Sequence, residues 1–288
     1  MIYEFINEHP EYSVTRWAYY YQVSRAGYYA YLRQMAQRKR ERSDMKAKIK
    51  QIFDNSGGTY GADRICGILR RMGNKASYRK VSAYMVEMGL KSIHTRHRTR
   101  SLTDSRKARG AGYPNLTKGR VFTRPYQAVC SDITYLKSGE GWTYLCMVKD
   151  IVSGEILGTA TDERMKKDLV MRAFLNAIGR HRLPKGMIYH TDRGCQYTSQ
   201  ACRDLLKQYG IKQSFSRVGM PGDNAWAESF FATLKKECLH FRQFQTRDEL
   251  CQATFTWIES FYNTRRVQAR LGYASPREYA QQYFARAA

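Results

Sequence analysis

The stretch of sequence that decides the fold class is Val129-Cys130-Ser131-Asp132-Ile133-Thr134-Tyr135-Leu136. Its side chains alternate with the two-residue period of a β-strand, so Asp132 shares one face with Cys130 and Thr134. Two more strand-like runs follow, 142–148 and 156–160, and both come after glycine-containing turns. Upstream of this stretch the apolar residues have the spacing of helices. We therefore expect a different domain to begin near residue 126.

Helices and strands alternate beyond the third strand. Apolar residues three and four apart predict a helix over 170–178, and the run 187–191 is apolar enough for a buried strand. The remaining expected elements are a helix over 199–209, a strand over 211–216 and two long helices, 223–239 and 246–262. This order predicts an α/β fold with a mixed five-stranded sheet and flanking helices over residues 126–288.

The amino-terminal part of the chain is predicted to be entirely helical. Helical spacing interrupted by short turns indicates two helix-turn-helix candidates, near residues 12–33 and 60–90. Between them, residues 34–50 are charged nearly all round, which is typical of a solvent-exposed bridging helix. Residues 91–112 are rich in arginine and lysine without an apolar period, which indicates a basic linker, and residues 113–125 are expected to be a connector.

The charge of the chain is strongly positive. Lysine and arginine number 49 against 25 aspartate and glutamate residues, a formal charge of +24, while 43% hydrophobic residues still allow a buried core. Residues 1–125 hold 26 basic and 9 acidic residues, and residues 126–288 hold 23 and 16. An evenly cationic protein would not show this difference. We therefore expect residues 1–112 to be a DNA-binding region.

The basic linker contributes much of this surplus. Its arginines Arg96, Arg98 and Arg100 are expected to contact DNA phosphates. A merely solvated linker is the alternative, since a basic segment without apolar period also suits open solvent.

Signals for export and for a membrane span are missing from the sequence. The first eleven residues do not combine a basic start with an apolar run, and no stretch approaches the roughly 18 apolar residues of a membrane helix. The seven cysteines include no C-x-x-C pair, which argues against a disulfide scaffold and a zinc ribbon. We expect a cytoplasmic protein with reduced thiols and no membrane partner.

Three acidic residues on predicted core elements stand out in a chain this basic. Asp132 lies inside the first strand, Asp192 ends the fourth, and Glu228 lies on the penultimate helix with 35 residues between it and Asp192. On a helical wheel Asn224 and Lys235 share a polar line with Glu228. Each acid alone has an ordinary explanation, as a strand polar group, a cap or a surface charge. Together they supply the oxygen ligands that hard divalent cations prefer.

Neighbouring polar residues are assigned other roles. Asp223 stands just before the penultimate helix and is interpreted as its N-cap. His190 is interpreted as a buried, orienting histidine, because an oxygen-ligand site does not call for imidazole. Asp150, Asp162 and Glu163 flank the third strand and are interpreted as turn residues.

About 160 residues at the carboxy terminus resemble the DDE core of retroviral-type integrases. More closely, they resemble the catalytic protein, encoded by the second reading frame, of bacterial insertion sequences of the IS-three family. The similarity is carried by residues 131–136, 190–199, 223–231, Lys235, Glu237, 262–266 and 271–276. The amino-terminal half is similar at 23–29 and 60–65. The resemblance therefore covers almost the whole chain.

The resemblance implies a fold and a site. The sheet would be RNase H-like, and Asp132, Asp192 and Glu228 would be a catalytic triad that binds two Mg²⁺ or Mn²⁺ ions. Lys235 and Asn224 would contact DNA, and Asn224 would also shape the site. The implied enzyme is a DDE transposase that cleaves DNA strands and transfers them during movement of an insertion sequence.

One position departs from the family. The family usually has Pro-His after the arginine at position 266, and this chain has Val267-Gln268. Because glutamine cannot transfer a proton, neither residue is included in the predicted site.

The implied partners are the DNA of the element ends and of the target, and further copies of the chain assembled on that DNA. Similar transposases often work as a fusion to an upstream-frame product, and without sustained heptads this chain is expected to lack that part. Its expected location is the bacterial cytoplasm, at the nucleoid. The rival functions are an RNase H-like nuclease without joining activity and a non-catalytic DNA-binding regulator. The helix-turn-helix candidates argue against the first, and the intact acids argue against the second.

Overall fold

The computed structural model describes residues 1–93, 114–217, 220–240 and 242–287. The chain divides into two compact units, Met1–Ser92 and Ile93–Ala288. The predicted DNA contacts Arg96, Arg98 and Arg100 lie outside the described residues, so they stay predictions. The boundaries predicted at residues 112 and 125 stay predictions as well.

Helices make up the first unit, as predicted. They are α1 (Ile2–Glu8), α2 (Val14–Tyr20), α3 (Arg25–Asn55), α4 (Ala62–Arg71) and α5 (Tyr78–Glu87). Two helix pairs, α2 with α3 and α4 with α5, occupy the positions of the two helix-turn-helix candidates. The second helix of each pair begins at a serine cap, since Ser24 accepts from the Gly27 amide and Ser77 from the Lys80 amide.

The helix α3 is longer than the sequence pattern indicated. It runs for 31 residues, about 45 Å, and includes both the second helix of the first candidate and the predicted bridging helix. Its buried residues are Tyr28 and Ile49, and residues 33–44 are exposed. The charged residues around the middle of α3 are therefore exposed to solvent, as predicted for a bridging helix.

A mixed five-stranded sheet forms the centre of the second unit. Its strands are β1 (Ala128–Ser138), β2 (Gly141–Asp150), β3 (Ile156–Asp162), β4 (Ile188–Thr191) and β5 (Lys212–Phe215). The order across the sheet is β3-β2-β1-β4-β5. The pairs β1–β2 and β2–β3 are antiparallel, and β1–β4 and β4–β5 are parallel. The predicted α/β sheet is confirmed.

Helices cover both faces of this sheet. One face carries α6 (Lys167–Arg180), α7 (Cys195–Thr198) and α8 (Gln200–Gln208), and the other carries α9 (Ala225–Leu234) and α10 (Arg247–Thr256). Both α9 and α10 continue into a wider π-helical turn, Lys235–Leu239 and Trp257–Tyr262. A last helix, α11 (Pro276–Ala287), follows.

Alternation along β1 separates two apolar cores. Cys130 and Leu136 pack with Phe230 and Leu234 of α9, while Val129 packs with the helices of the opposite face. Asp132 has the parity of Cys130, so it faces the α9 side. The strand thereby aims one carboxylate at the helix that carries Glu228.

Residues 114–125, predicted as a connector, lie against the sheet. The carbonyl of Pro114 accepts from the Phe215 amide at 2.9 Å, and the Leu116 amide donates to Ser214 Oγ at 2.8 Å. Leu116 and Phe122 pack on the α9 core. This segment therefore packs against the sheet of the second unit, beside β5. Within the described ranges, no helix is both long and apolar enough to cross a membrane.

Candidate active site

The parallel strands β1 and β4 bring two of the predicted acids together. Ala128 pairs with Ile188 and Cys130 with His190. Continuing this register by two residues sets Asp132 level with Asp192, which follows the end of β4. Carboxyl ends of neighbouring parallel strands are a usual position for sites in α/β proteins.

The surroundings of Asp132 disfavour the charged form of its carboxylate. Its Oδ1 accepts from the Ile133 amide at 2.8 Å. Burial is the main cause that raises the pKa of Asp132 to about 7, and the negative charges of Asp192 and Glu228 raise it further. The Ile133 hydrogen bond and the charge of Lys235 act in the opposite direction. The charges of Asp192, Glu228 and Lys235 therefore all act on the Asp132 carboxylate.

Asp192 lies at the surface, on the loop after β4. The residue is exposed, yet the surrounding protein still desolvates its carboxylate enough to raise the pKa. Its Oδ1 accepts from the Gly194 amide at 3.0 Å. A Cβ at Gly194 would lie 3.1 Å from that oxygen and 3.0 Å from Gln196 Oε1, so the close approach favours glycine here.

Glu228 is presented to solvent by the first turns of α9. Its neighbours Ala227, Phe230 and Leu234 are at most 1% exposed and fix the opposite face of the helix on the sheet. Below that turn, the buried Lys149 of β2 donates from Nζ to the Trp226 carbonyl at 2.7 Å. The helix is thus attached to the sheet two residues before Glu228.

Lys235 stands where α9 changes into its π-helical turn. Its Nζ lies 5.0 Å from the centre of the Tyr135 ring. Desolvation lowers the pKa of Lys235, whereas the nearby charge of Asp132 raises it. Glu237, two residues further along the chain, is bound by Arg266 at 2.7 and 2.8 Å.

The N-cap assignment of Asp223 is wrong. Its carboxylate accepts from the Arg217 amide and guanidinium at 2.9–3.0 Å and from Asn115 at 2.9 Å. These hydrogen bonds lower the pKa of Asp223 to about 2. Asp223 lies within a short 3₁₀ turn, Pro221–Asn224, and Asn224 takes the N-cap position of α9 instead.

Asn224 directly precedes α9 and is buried. Its Oδ1 has no hydrogen-bond partner among the described residues. Such an atom carries a desolvation cost unless a ligand or water satisfies it. Burial favours the role of shaping the site over a direct contact with DNA.

His190 is a buried link between strands, in agreement with the orienting role expected for it. Its ring nitrogens lie 2.9 Å from Ser214 Oγ and 3.1 Å from Ser216 Oγ. Thr117 Oγ1 lies 3.3 Å from Nδ1 as well, so hydroxyl groups surround the ring. Desolvation lowers the pKa of His190, which favours the neutral form.

Gln268, the family departure, lies beside the turn between β2 and β3. Its Oε1 accepts from Arg270 Nε at 3.0 Å, and a Cβ on Gly154 would lie 3.5 Å from its amide. The structure thus gives Gln268 a role in chain packing.

The donor chemistry of the acids fits a hard divalent cation. Asp132, Asp192 and Glu228 offer only carboxylate oxygens, and Asn224 adds an unpaired amide oxygen nearby in sequence. In the described part of the chain, no three His, Cys, Asp or Glu side chains are close enough to form a finished metal site.

Comparison with known proteins gives this geometry a family. Models described as Integrase core domain match residues 123–221 and 209–276, and one described as HTH-like domain matches residues 39–98. The transposase for insertion sequence element IS904 of Lactococcus lactis is 38% identical over 83% of this chain and 94% of that protein. The transposase InsF for insertion sequence IS3A of Escherichia coli is 32% identical over 97% of this chain and 98% of that protein.

The chain belongs to the IS3 family of insertion-sequence transposases. It is a DNA transposase of the DDE polynucleotidyl transferase class, with an integrase core and an HTH-like DNA-binding domain. Among solved structures, the catalytic core domain of BIV integrase shares 17% identity with the transposase. The TM-score is 0.44, over 57% of this chain and 99% of that chain. Dependence on a divalent metal ion agrees with this family and with the carboxylate donors.

Two features of the site were missed by sequence reasoning in this transposase. Lys149 is a charged residue at the end of the apolar strand run 145–148, and that contrast was a usable signal. The buried pair of Glu237 and Arg266 joins residues 29 apart, and no local pattern announces it.

Proposed function

We propose that this transposase cuts a DNA strand at the ends of its insertion sequence and joins the freed 3′ end to another strand, with Asp132, Asp192 and Glu228 as its catalytic triad. The observation that carries the proposal is the register of β1 and β4, which sets Asp132 level with Asp192, together with the charge of Glu228 on α9 acting on Asp132. The raised pKa of Asp132 supports it, since both other acids contribute to the shift.

We infer that the triad holds two Mg²⁺ or Mn²⁺ ions. Asp132, Asp192 and Glu228 would hold the ions through carboxylate oxygens, the ligands that such cations prefer. When bound, the ions would activate a water or a DNA 3′-hydroxyl and stabilise the leaving 3′-oxygen. The polypeptide itself supplies no covalent intermediate: its residues position the DNA and balance charge.

Three other residues of the site have supporting roles in this proposal. Lys235, exposed beside Tyr135, would bind a phosphate of the DNA end. Asn224 would complete the wall of the site with its unpaired oxygen. Lys149 would hold the first turn of α9, and with it Glu228, at a fixed height over the sheet.

DNA affinity is proposed to come mainly from residues 1–112. This segment contains the helical unit and the linker arginines Arg96, Arg98 and Arg100. Phosphate contacts of this kind release counterions, so affinity should fall steeply as salt rises.

The wider setting is also a proposal. The transposase would assemble as a homo-oligomer on the element ends and the target, and the upstream-frame product of the same element would be a partner or a fused segment. Its work on bacterial DNA would place it in the cytoplasm with the nucleoid.

A paired assay tests the proposed function. A labelled, precut element end is incubated with the full chain, Mg²⁺ and a target plasmid, while intact ends are scored for nicking in parallel. We expect both nicked ends and joined products. Nicking without joining would indicate a nuclease, and binding without either product would indicate a regulator.

A further inference from the structure

Two aromatic rings are exposed at the end of the β1–β2 hairpin. Tyr135 is 58% and Trp142 49% exposed, although Val129 and Cys146, on the same face of the same two strands, are buried. The two rings lie on neighbouring strands, with centres 5.2 Å apart and planes nearly perpendicular. A cross-strand aromatic pair stabilises a hairpin, but that role does not require half of each ring to face solvent. The exposed parts of Tyr135 and Trp142 form a flat apolar surface, the aromatic step.

Two cations flank the aromatic step. Lys235 Nζ lies 5.0 Å from the centre of the Tyr135 ring, and Lys137 Nζ lies 5.8 Å from that of Trp142. Both lysines are exposed. Proteins bind unpaired nucleic acid with this combination, because the rings stack on bases while the cations contact the backbone. A surface that bound only phosphates would not need the rings, and a purely apolar protein contact would not need the lysines.

The aromatic step lies close to the predicted catalytic acids. Tyr135 follows Asp132 by three residues on β1, which is about 10 Å along the strand. Nucleotides of one DNA strand follow each other at about 3.4 Å, so the ring lies within about three nucleotides of a bond cut at Asp132. Lys235 connects the two places, since it lies over the Tyr135 ring and its charge acts on Asp132.

Alternation along β1 limits which bases can reach the aromatic step. Tyr135 points to the face opposite Asp132, because the two residues are an odd number of positions apart. A base pair lying against the acids could not also stack on a ring of the other face. A single unpaired base could do so by turning past the edge of β1, which β4 pairs at residues 128–130. The aromatic step therefore suits a base that has left its partner strand.

We propose that Tyr135 and Trp142 stack on one unpaired base at the DNA end and so position the strand to be cut at the predicted acids. Lys137 and Lys235 would hold the backbone on either side of that base. The two aromatic residues act as positioning residues for the DNA strand. This inference rests on the proposed function, to which it adds a local opening of the duplex beside the bond that is cut.

Equilibrium binding tests the proposal without cleavage. The full chain is titrated, with no divalent metal ion added, with labelled duplexes that carry one end of the element and its flanking DNA. One duplex is fully paired, and the others carry two adjacent unpaired nucleotides at successive positions across the element boundary. The ratio of the paired to the unpaired dissociation constant should reach roughly ten beside the boundary and stay near one far from it. A chain that binds without cutting would fail the proposed function and could still pass this test.

Variants separate stacking from charge and packing. Tyr135→Ala and Trp142→Ala should each bring the ratio close to one, while binding of the fully paired duplex stays near that of the wild type. Tyr135→Phe keeps the ring and should keep the ratio. The matched control is Phe255→Ala on α10, since Phe255 is 45% exposed beside the edge strand β3, with the Arg180 guanidinium 5.4 Å from its ring centre. This control should leave the ratio unchanged.

A fluorescent base analogue at the captured position reports stacking directly. Its emission should be quenched by the wild type and recover with Trp142→Ala, and unfolding curves that match the wild type show that each variant is folded. A wild-type ratio near one at every position overturns the proposal, as does a ratio that survives in both alanine variants or is lost in Phe255→Ala. Alanine variants that change only the sedimentation coefficient also overturn it, because the rings would then bind a second copy of the chain.

Discussion

Arg266 and Glu237 form a two-pronged ion pair at 2.7 and 2.8 Å, with side chains only 7% and 0% exposed. The pair ties the π-helical turn after α9 to the segment that follows α10. Both residues belong to motifs by which the chain resembles its family, yet neither is one of the three acids predicted to form the catalytic triad. Its role is to hold in place the helix that carries Glu228 and Lys235.

Replacing one partner should leave a buried charge without compensation. Arg266→Met is expected to lower the free energy of unfolding by about 3–5 kcal/mol, measured by urea denaturation. The double variant Arg266→Met, Glu237→Leu should recover most of this loss. As a control, Arg172→Ala breaks the exposed pair with Asp162 and should cost less than about 1 kcal/mol. Equal losses in both single variants would contradict this role for the buried pair.

Lys149 should affect catalysis more than stability. Lys149→Met removes the hydrogen bond to the Trp226 carbonyl and also the desolvation cost of a buried ammonium group. We expect the free energy of unfolding to change by about 1 kcal/mol or less. The kcat for strand transfer should fall roughly tenfold, because α9 loses its fixed position. KM for the DNA end should stay constant. Lys212→Met, at an exposed position on β5, is the control, and wild-type kcat in Lys149→Met would refute the positioning role.

Lys235 should bind DNA and not the metal ions. Lys235→Ala is expected to weaken binding of the element end by about 1–2 kcal/mol and to reduce the salt slope by about one. The Mg²⁺ concentration for half-maximal activity should not change. Binding titrations at several salt concentrations measure both effects. An unchanged salt slope together with wild-type strand transfer would return Lys235 to the solvated surface.

Asp223 should make stability depend on pH in a defined window. Its pKa is lowered from 3.8 to about 2, mainly by hydrogen bonds from Arg217. A lowered pKa means that the folded state favours the charged form, so this stabilisation is complete above about pH 4 and is lost as pH falls through about 2. The difference in unfolding free energy between wild type and Asp223→Asn should therefore be constant above that window and shrink below it. A difference that grows with acidity would contradict the assignment.

Local patterns in the sequence determined much of this architecture. Strands β1 to β5 and their helices follow from the period of apolar residues. The parallel pairing of β1 and β4 then sets Asp132 level with Asp192, two of the three acids predicted to form the site. The length of α3 was missed because its charged middle separates two apolar segments that the pattern treats as independent helices.

Contacts between distant residues could not be predicted in this way. The pairs Lys149–Trp226 and Glu237–Arg266 depend on how helices settle on the sheet, which no single segment encodes. The same holds for Asp223, where a capping residue was expected. A 3₁₀ turn moves it out of capping position, and Arg217 binds it instead.

The central claim is that Asp132, Asp192 and Glu228 act together as the catalytic triad of the transposase. The most direct measurement compares strand cleavage and transfer by Asp132→Asn, Asp192→Asn and Glu228→Gln in Mg²⁺ and in Mn²⁺, with binding of the element end measured on the same preparations. Each variant should lose both reactions and keep nearly full DNA binding. More than a few per cent of wild-type cleavage in any one of them would contradict the claim.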